Sequence, residues 1–473
     1  MRLSGWTTCF IAMAGVAVAG PEPGREEFRA IYKELVEINT TLSAGNCTQA
    51  AEAMALHLKA AGYPASDLHL VVPPERPKDG NLVAVLPGSE ASAKALLLLA
   101  HIDVVEAKRE DWERDPFTLV EEDGYFYARG AADDKAMAAV FVDSMMRYKR
   151  DGYVPRRTIK MALTCGEETP ETFNGVDYLI RNDRDLIDAG FAINEGAGGR
   201  LDEQGNYQFL GIQAGEKLYQ DYTLEVTNKG GHSSRPVKDN AIYRLASGLA
   251  RLGAHDFPVV LNDAVRAHFE RMAAVETGEA GAAMAAVAAN PKDEAAVAIV
   301  ARDPSRNSMM RTTCVATMVS AGHAPNALPQ RATANVNCRI LPGVTPEAVM
   351  AELATILNDD QIKIAMRPEP GPKTGTLPPL TDEILQNVET VAAEIWPGVP
   401  LVPTMATGAT DGRFLNGVGV PTYGLSGMFA DPDGSGAHGL NERIRVRSLY
   451  EGRDFLYRVA KRFADAPETG AGN

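Results

Sequence analysis

The hydrophobic pattern changes period along the chain. Apolar residues recur at helical spacing over 28–38 and 50–61, which predicts two amphipathic helices. Continuous apolar runs follow at 82–86 and 95–100, as in strands buried on both faces. A helical pattern over 135–149, a strand run at 158–164, a helix at 175–182 and a strand at 191–194 continue the series. Strand and helix in alternation predict an α/β domain with a largely parallel sheet, whose sites form at the C-terminal strand ends. From about residue 213 the texture differs. Residues 219–228 alternate apolar and polar, and an Ala-rich helical stretch follows, broken at Asn290-Pro291. Strand runs at 312–320 and 332–341, a helix at 345–357 and a strand at 362–366 complete an α+β insertion. Gly371, Pro372 and Pro378-Pro379 close it, and a helix at 382–395 resumes the α/β pattern. The expected division is a leader at 1–19, a first catalytic segment at 20–213, the insertion at 214–376 and a second catalytic segment at 377–473.

The leader is read from Arg2, the apolar run 9–16 and the Ala17-Val18-Ala19 triplet. A charged start, a run too short to span a bilayer and an A-x-A site make a cleaved signal peptide, so the mature chain is expected to be secreted or periplasmic. A formal charge of −15 argues against a nucleic-acid or anionic-membrane partner, since both need clustered Lys and Arg. No later stretch is apolar enough to hold the mature chain in a membrane. Cys47, Cys165, Cys314 and Cys338 form no C-x-x-C pair, so a thiolate zinc site is unsupported. Cys314 and Cys338 fall in two neighbouring strand runs. They can be a disulfide or two buried thiols, and the pattern leaves both open.

Polar clusters sit where the strand runs end. His101-x-Asp103 closes the run 95–100, and Glu167-Glu168 follows the run 158–164. Glu195 follows 191–194, Asp133-Asp134 opens the helix at 135, and His438 lies in a late Gly-rich loop. Residues two apart on a strand share a face, so His101 and Asp103 can converge on one point. Taken singly, each cluster has an ordinary reading: a histidine satisfied by a nearby acid, helix N-caps, a solvated acidic turn. Taken together, two histidines and three carboxylates from different strand ends are a mixed N/O set suited to two zinc-like ions.

The order H-x-D, G-A-x-D-x-K, E-E, N-E-G, G-G-H-S and H-G-x-N-E, running from about Leu96 to Arg443, resembles the M20 metallopeptidases. Residues 112–117 and 123–135 resemble two further family segments. The resemblance implies a zinc-peptidase α/β catalytic domain, with the insertion as a lid and dimerisation domain. It implies two zinc ions, with cobalt or manganese as substitutes. His101 and Glu195 would hold one ion, Glu168 and His438 the other, and Asp133 would bridge them. Asp133-Asp134 would be a cis peptide, Asp103 would orient His101, and Glu167 would be the general base. Gly166, Ala100 and Ala136 depart from residues common in relatives, and none removes a ligand.

The same resemblance makes His232, in Gly230-Gly231-His232-Ser233-Ser234, an oxyanion donor that reaches the partner subunit of a homodimer. Asn326 would lie near the substrate, and Arg339 and Arg413 would meet its carboxylate. Structural salt bridging is the competing reading of both arginines. The implied reaction is hydrolysis of a peptide or amide bond beside a free carboxylate, carboxypeptidase-like, on short peptides or N-acyl amino acids. A dedicated N-acyl amino acid deacylase is the alternative, and a non-catalytic binding protein on the same fold a remoter one.

Overall fold

The computed structural model describes residues 24–467; the expected signal peptide, residues 1–19, lies outside them. In the first segment, α1 (Arg25–Glu37) and α2 (Cys47–Ala60) precede β1 (Asn81–Leu86) and β2 (Leu96–His101). Then come α3 (Lys135–Arg150), β3 (Ile159–Thr164), β4 (Phe191–Asn194) and β5 (Tyr207–Glu216). Asn46 caps α2 through the Gln49 N–H, as a short polar side chain does at a helix start.

The segment between the two catalytic stretches carries β6 (Leu218–Thr227), α4 (Ala241–Gly253), α5 (Asp263–Val275), β7 (Thr313–Ala321) and β8 (Arg331–Ile340). α6 (Pro346–Leu357) and β9 (Lys363–Met366) complete it. After it, α7 (Asp382–Ile395), β10 (Leu401–Ala406), β11 (Thr422–Gly424) and α8 (Val446–Asp465) return to the large sheet.

That sheet has ten strands, with β1, β3, β2, β4, β11 and β5 adjacent in that order and β10 beside β5. β3, β2, β4 and β11 run parallel, the largely parallel centre the alternation calls for. Successive side chains point to opposite faces. Leu96, Leu98 and Ala100 therefore pack with α1, α2, α3 and α8, while Leu97 and Leu99 pack against Val176, Leu179 and Phe414 on the other side. Both faces are covered, which is why these strands read as unbroken apolar runs. The Arg453 guanidinium of α8 makes a two-point ion pair with Asp143 of α3, at 2.8 and 3.2 Å, inside this packing.

A second sheet, in the order β7-β8-β6-β9, carries α4 and α6 on one face. Its other face is polar: Asp221 accepts from Asn335 and Asn337 at 3.0 and 2.9 Å, and Arg339 shares that face. The Ala-rich helical stretch behaves differently. α5 and the helices after it bury Phe269, Met284 and Val287 against Val402 and Met405 of β10, so this part packs on the large sheet. Two disulfides are present among the described residues. Cys314–Cys338 joins β7 to β8 at directly opposed positions. Cys47–Cys165, not anticipated from the sequence, ties the start of α2 to the end of β3. No helix among the described residues is long and apolar enough to cross a membrane.

Candidate metal centre

β2 ends at His101, and the chain beyond it brings Asp103 back toward the same strand end. His101 Nδ1 lies 3.1 Å from the Asp103 carbonyl oxygen, an acceptor only, so Nδ1 carries the proton. Nε2 then faces Asp133 Oδ1 at 3.2 Å and Glu195 Oε1 at 3.8 Å. Asp103 meets His101 chiefly through this carbonyl; its carboxylate stands 3.6 Å from the ring. That carboxylate instead accepts the N–H groups of Glu167 and Glu168, at 3.2 and 3.0 Å. It thereby fixes the acidic turn after β3.

Gly166 begins that turn with φ +90°, and a Cβ there would meet the Phe173 carbonyl oxygen at 2.3 Å. A glycine is thus required here by this chain's own backbone. The peptide bond Asp133-Asp134 is cis. Asp133 faces two ways, with Oδ1 toward His101 and Oδ2 3.3 Å from His438 Nε2. His438 Nε2 is also 2.9 Å from Glu168. Asp134 makes no ion pair among the described residues, and its Oδ2 is buried without a partner.

His101, Glu167 and Glu195 each offer a donor atom within 4.8 Å of the others, as do His101, Asp133 and Glu168. The only cationic side chains paired with these carboxylates, among the described residues, are the two histidines. Burial, then the charge of Glu195, pushes the Glu167 carboxyl well above the usual range. Glu195 is raised by burial as well. Burial also opposes ionisation of Asp133, but hydrogen bonds from His101 and His438 outweigh it and hold this group below the usual range. Two histidine nitrogens and several carboxylate oxygens facing one another in a buried acidic cluster fit bound cations: the donor set is N/O, as for zinc.

The other expected residues lie elsewhere. His232 and Asn326 meet in a two-stranded ribbon, where Ser233 N–H donates to the Asn326 carbonyl at 2.9 Å. Both are exposed, and neither has a contact with the cluster among the described residues. His232 Nδ1 accepts the Ser234 N–H at 3.1 Å, which leaves Nε2 as the donor. Arg339 lies over the Tyr219 ring at 4.7 Å and Arg413 over Phe414 at 4.7 Å. Neither forms an ion pair among the described residues, which removes the salt-bridge reading. Burial lowers the Arg339 pKa, and the charge of Arg413 lowers it further.

Three residues near the centre carry structure that sequence reasoning did not assign. Glu442 accepts from the N–H groups of Gly130, Ala132 and Asp133 at 3.0, 2.8 and 2.9 Å. Asp411 accepts from Thr164 Oγ1 at 3.1 Å and Asn174 at 2.5 Å. Glu216, at the crossing from β5 to β6, accepts from Thr410 N–H at 2.5 Å, and burial pushes its carboxyl up to about 8. Glu442 stood within the H-G-x-N-E motif and Asp411 two residues before Arg413, so a signal existed; Glu216 had none.

The model of peptidase family M20/M25/M40 matches residues 97–462. The chain belongs to this family. It is therefore a peptidase or amidohydrolase, as the motif order implied. This M20 chain is 28% identical to the human N-fatty-acyl-amino acid synthase/hydrolase PM20D1, over 79% of its own length and 75% of the relative's. Its fold matches an M20 family metallo-carboxypeptidase, Sso-CP2 from Sulfolobus solfataricus, at TM-score 0.70 and 20% identity, covering 93% and 99% of the two chains. It also matches the YXEP protein of Bacillus subtilis, described as a dinuclear metal binding peptidase, at TM-score 0.60 and 11% identity, covering 93% and 98%.

Proposed function

We propose that this M20 chain is a two-metal hydrolase that cleaves an amide or peptide bond beside a free substrate carboxylate. The arrangement around Asp133 carries the reading: His101 and Glu195 stand on one side of it, His438 and Glu168 on the other. These five would hold two divalent ions, with zinc the first choice and cobalt or manganese substitutes. When bound, such ions supply a water of lowered pKa and polarise the substrate carbonyl. The dinuclear description of the Bacillus subtilis neighbour is in line with this set.

Glu167, raised by burial and unpaired with any Lys or Arg, takes the proton of the attacking water and returns it to the leaving nitrogen. Asp103 positions Glu167 through the backbone of the acidic turn and fixes the His101 tautomer through its carbonyl. Arg339 and Arg413 hold the substrate carboxylate, for which two unpaired guanidiniums that feel each other's charge are suited. Asn326 lines the approach. His232 donates from Nε2 to the oxyanion, and it acts in the partner subunit of a homodimer.

The edge strand β7 supports the dimer. Val315, Met318 and Val319 are 60, 69 and 69% exposed on it, and a long apolar edge is a pairing surface. Export to the periplasm or medium is supported by the leader pattern and by two disulfides, which persist in oxidising compartments. The likeness to the Sulfolobus metallo-carboxypeptidase makes peptides candidate substrates, and that to the human N-fatty-acyl-amino acid synthase/hydrolase makes N-acyl amino acids candidates.

A panel of dipeptides and N-acyl amino acids, with free and amidated C-termini, tests the reading before and after chelation and zinc return. Cleavage confined to free C-termini, lost on chelation and restored by zinc, is the expected outcome. Equal cleavage of amidated substrates would remove the roles of Arg339 and Arg413. Cleavage that survives full metal removal would sink the two-metal mechanism.

A further inference from the structure

The chain crosses from the large sheet to the inserted sheet without a linker. β5 ends at Glu216, β6 begins at Leu218, and Lys217 is the single residue between them. Successive side chains of extended chain point opposite ways, and these two do. Glu216 turns toward the loop after β10, where it accepts the Thr410 N–H. The Lys217 ammonium enters the inserted segment and donates to the carbonyls of Ser308 and Arg311, both at 2.8 Å. The Lys217 N–H also donates to the Ala406 carbonyl at the end of β10, at 3.1 Å, so the crossing is anchored on both sides. We propose that Glu216 is a positioning residue for the substrate carboxylate, setting the place of Arg413 through the backbone of Thr410. This rests on the reading of Arg413 given above and adds to it the residue that holds that arginine in register.

Thr410 is bound at its N–H, its hydroxyl and its carbonyl. The N–H donates to Glu216 Oε2 at 2.5 Å. The hydroxyl accepts from Asn194 Nδ2 at 3.1 Å and from the Gly412 N–H at 3.0 Å, and the carbonyl accepts the Arg413 N–H at 3.2 Å. The Arg413 side chain has fewer restraints. It forms no ion pair among the described residues, and its Nε is buried without a hydrogen-bond partner. The turn from Thr410 therefore fixes where that side chain starts.

Glu216 lies close against this turn. A Cβ on Gly412 would stand 3.4 Å from Glu216 Oε1, so the second oxygen faces the backbone that leads into Arg413. Burial raises the Glu216 carboxyl, the Thr410 hydrogen bonds oppose this, and the charge of Arg413 opposes it further, which puts the guanidinium within electrostatic reach. An apolar side chain would fill this buried position without the desolvation cost of a carboxyl. What the carboxyl supplies is an acceptor for the turn.

The test compares Glu216→Ala, Glu216→Gln and Arg413→Ala in the zinc-loaded enzyme, on the free-carboxylate substrate that the wild type cleaves fastest. KM should rise about tenfold in Glu216→Ala, the effect of one lost hydrogen bond to an acid group, while kcat stays within about twofold. Gln keeps an oxygen for the Thr410 N–H, so Glu216→Gln should hold KM within about twofold of the wild type. Glu216→Ala should add little to Arg413→Ala, because the two changes act on one group. A KM raised by Arg413→Ala but not by Glu216→Ala overturns this inference and keeps the carboxylate reading. A KM that Arg413→Ala leaves unchanged removes both. Calorimetric titration of N-acetylalanine into the Glu167→Gln protein reads binding without turnover. Affinity should fall about tenfold when Glu216→Ala is added and recover with Glu216→Gln, and equal affinities overturn the proposal. If Glu216→Ala does not fold, Glu216→Asp, which withdraws the acceptor by one methylene, carries the same comparison with the same outcomes.

Discussion

Four donors converge on the Glu442 carboxylate: the Arg129 guanidinium and the backbone N–H groups of Gly130, Ala132 and Asp133. Arg129 also donates to the Gly439 carbonyl at 2.8 Å, so the two loops that present Asp133 and His438 are tied through one buried ion pair. Glu442 is a positioning residue. Glu442→Ala would leave Arg129 buried and unmatched, a change that costs about 3–5 kcal/mol. Denaturant unfolding should show that loss, and metal analysis should show fewer ions retained. Full stability with two metals bound would refute the tie. At this scale the sequence exposed the candidate ligands, because histidines and acids at strand ends are conspicuous. It marked Glu442 within the H-G-x-N-E motif but left it without a role, since backbone N–H partners some 310 positions away leave no local trace.

Elements buried on both faces were the most legible. The runs at 82–86, 158–164 and 191–194 became β1, β3 and β4 within a residue, because uninterrupted apolar strands arise where both faces are covered. β5 passed unread: its Gly211 and Gly215 interrupt the pattern, yet it lies deep in the large sheet beside β10 and β11. The Ala-rich helices carried no sign of which sheet they would join. α5 settles against β10, where His268 Nδ1 donates to the Pro403 carbonyl at 3.0 Å. Burial there lowers the His268 pKa to about 4. Its ordinary value is about 6.5, so between these pH values the unfolded chain holds the proton that the folded one refuses. The contribution is fully present above pH 6.5 and is lost as pH falls toward 4, by on the order of 3 kcal/mol. Unfolding midpoints across that window should fall less steeply in His268→Gln than in the wild type, and parallel slopes would count against this seam.

The catalytic proposal joins residues that the whole molecule alone assembles. Glu167 lies in the large sheet's acidic turn, while His232 and Asn326 stand exposed on a separate ribbon. Co-expression of Glu167→Gln with His232→Ala chains should return roughly a quarter of wild-type activity if the histidine works across a twofold dimer, since half the dimers then hold one intact site. No recovery, with heterodimers shown to form, would end the proposal that His232 acts in trans. The sequence by itself determined the α/β class, the family and the donor types, because burial imposes periodicity and metal chemistry imposes residue type. Tertiary structure decided what depends on through-space neighbours. It joined Cys47 to Cys165, turned Asp103 toward the Glu167-Glu168 backbone and left Arg339 and Arg413 without ion-pair partners. It also opened a cavity beside Asp133 and Glu195. These follow from distances and angles between segments far apart in the chain, and local patterning carries no record of them.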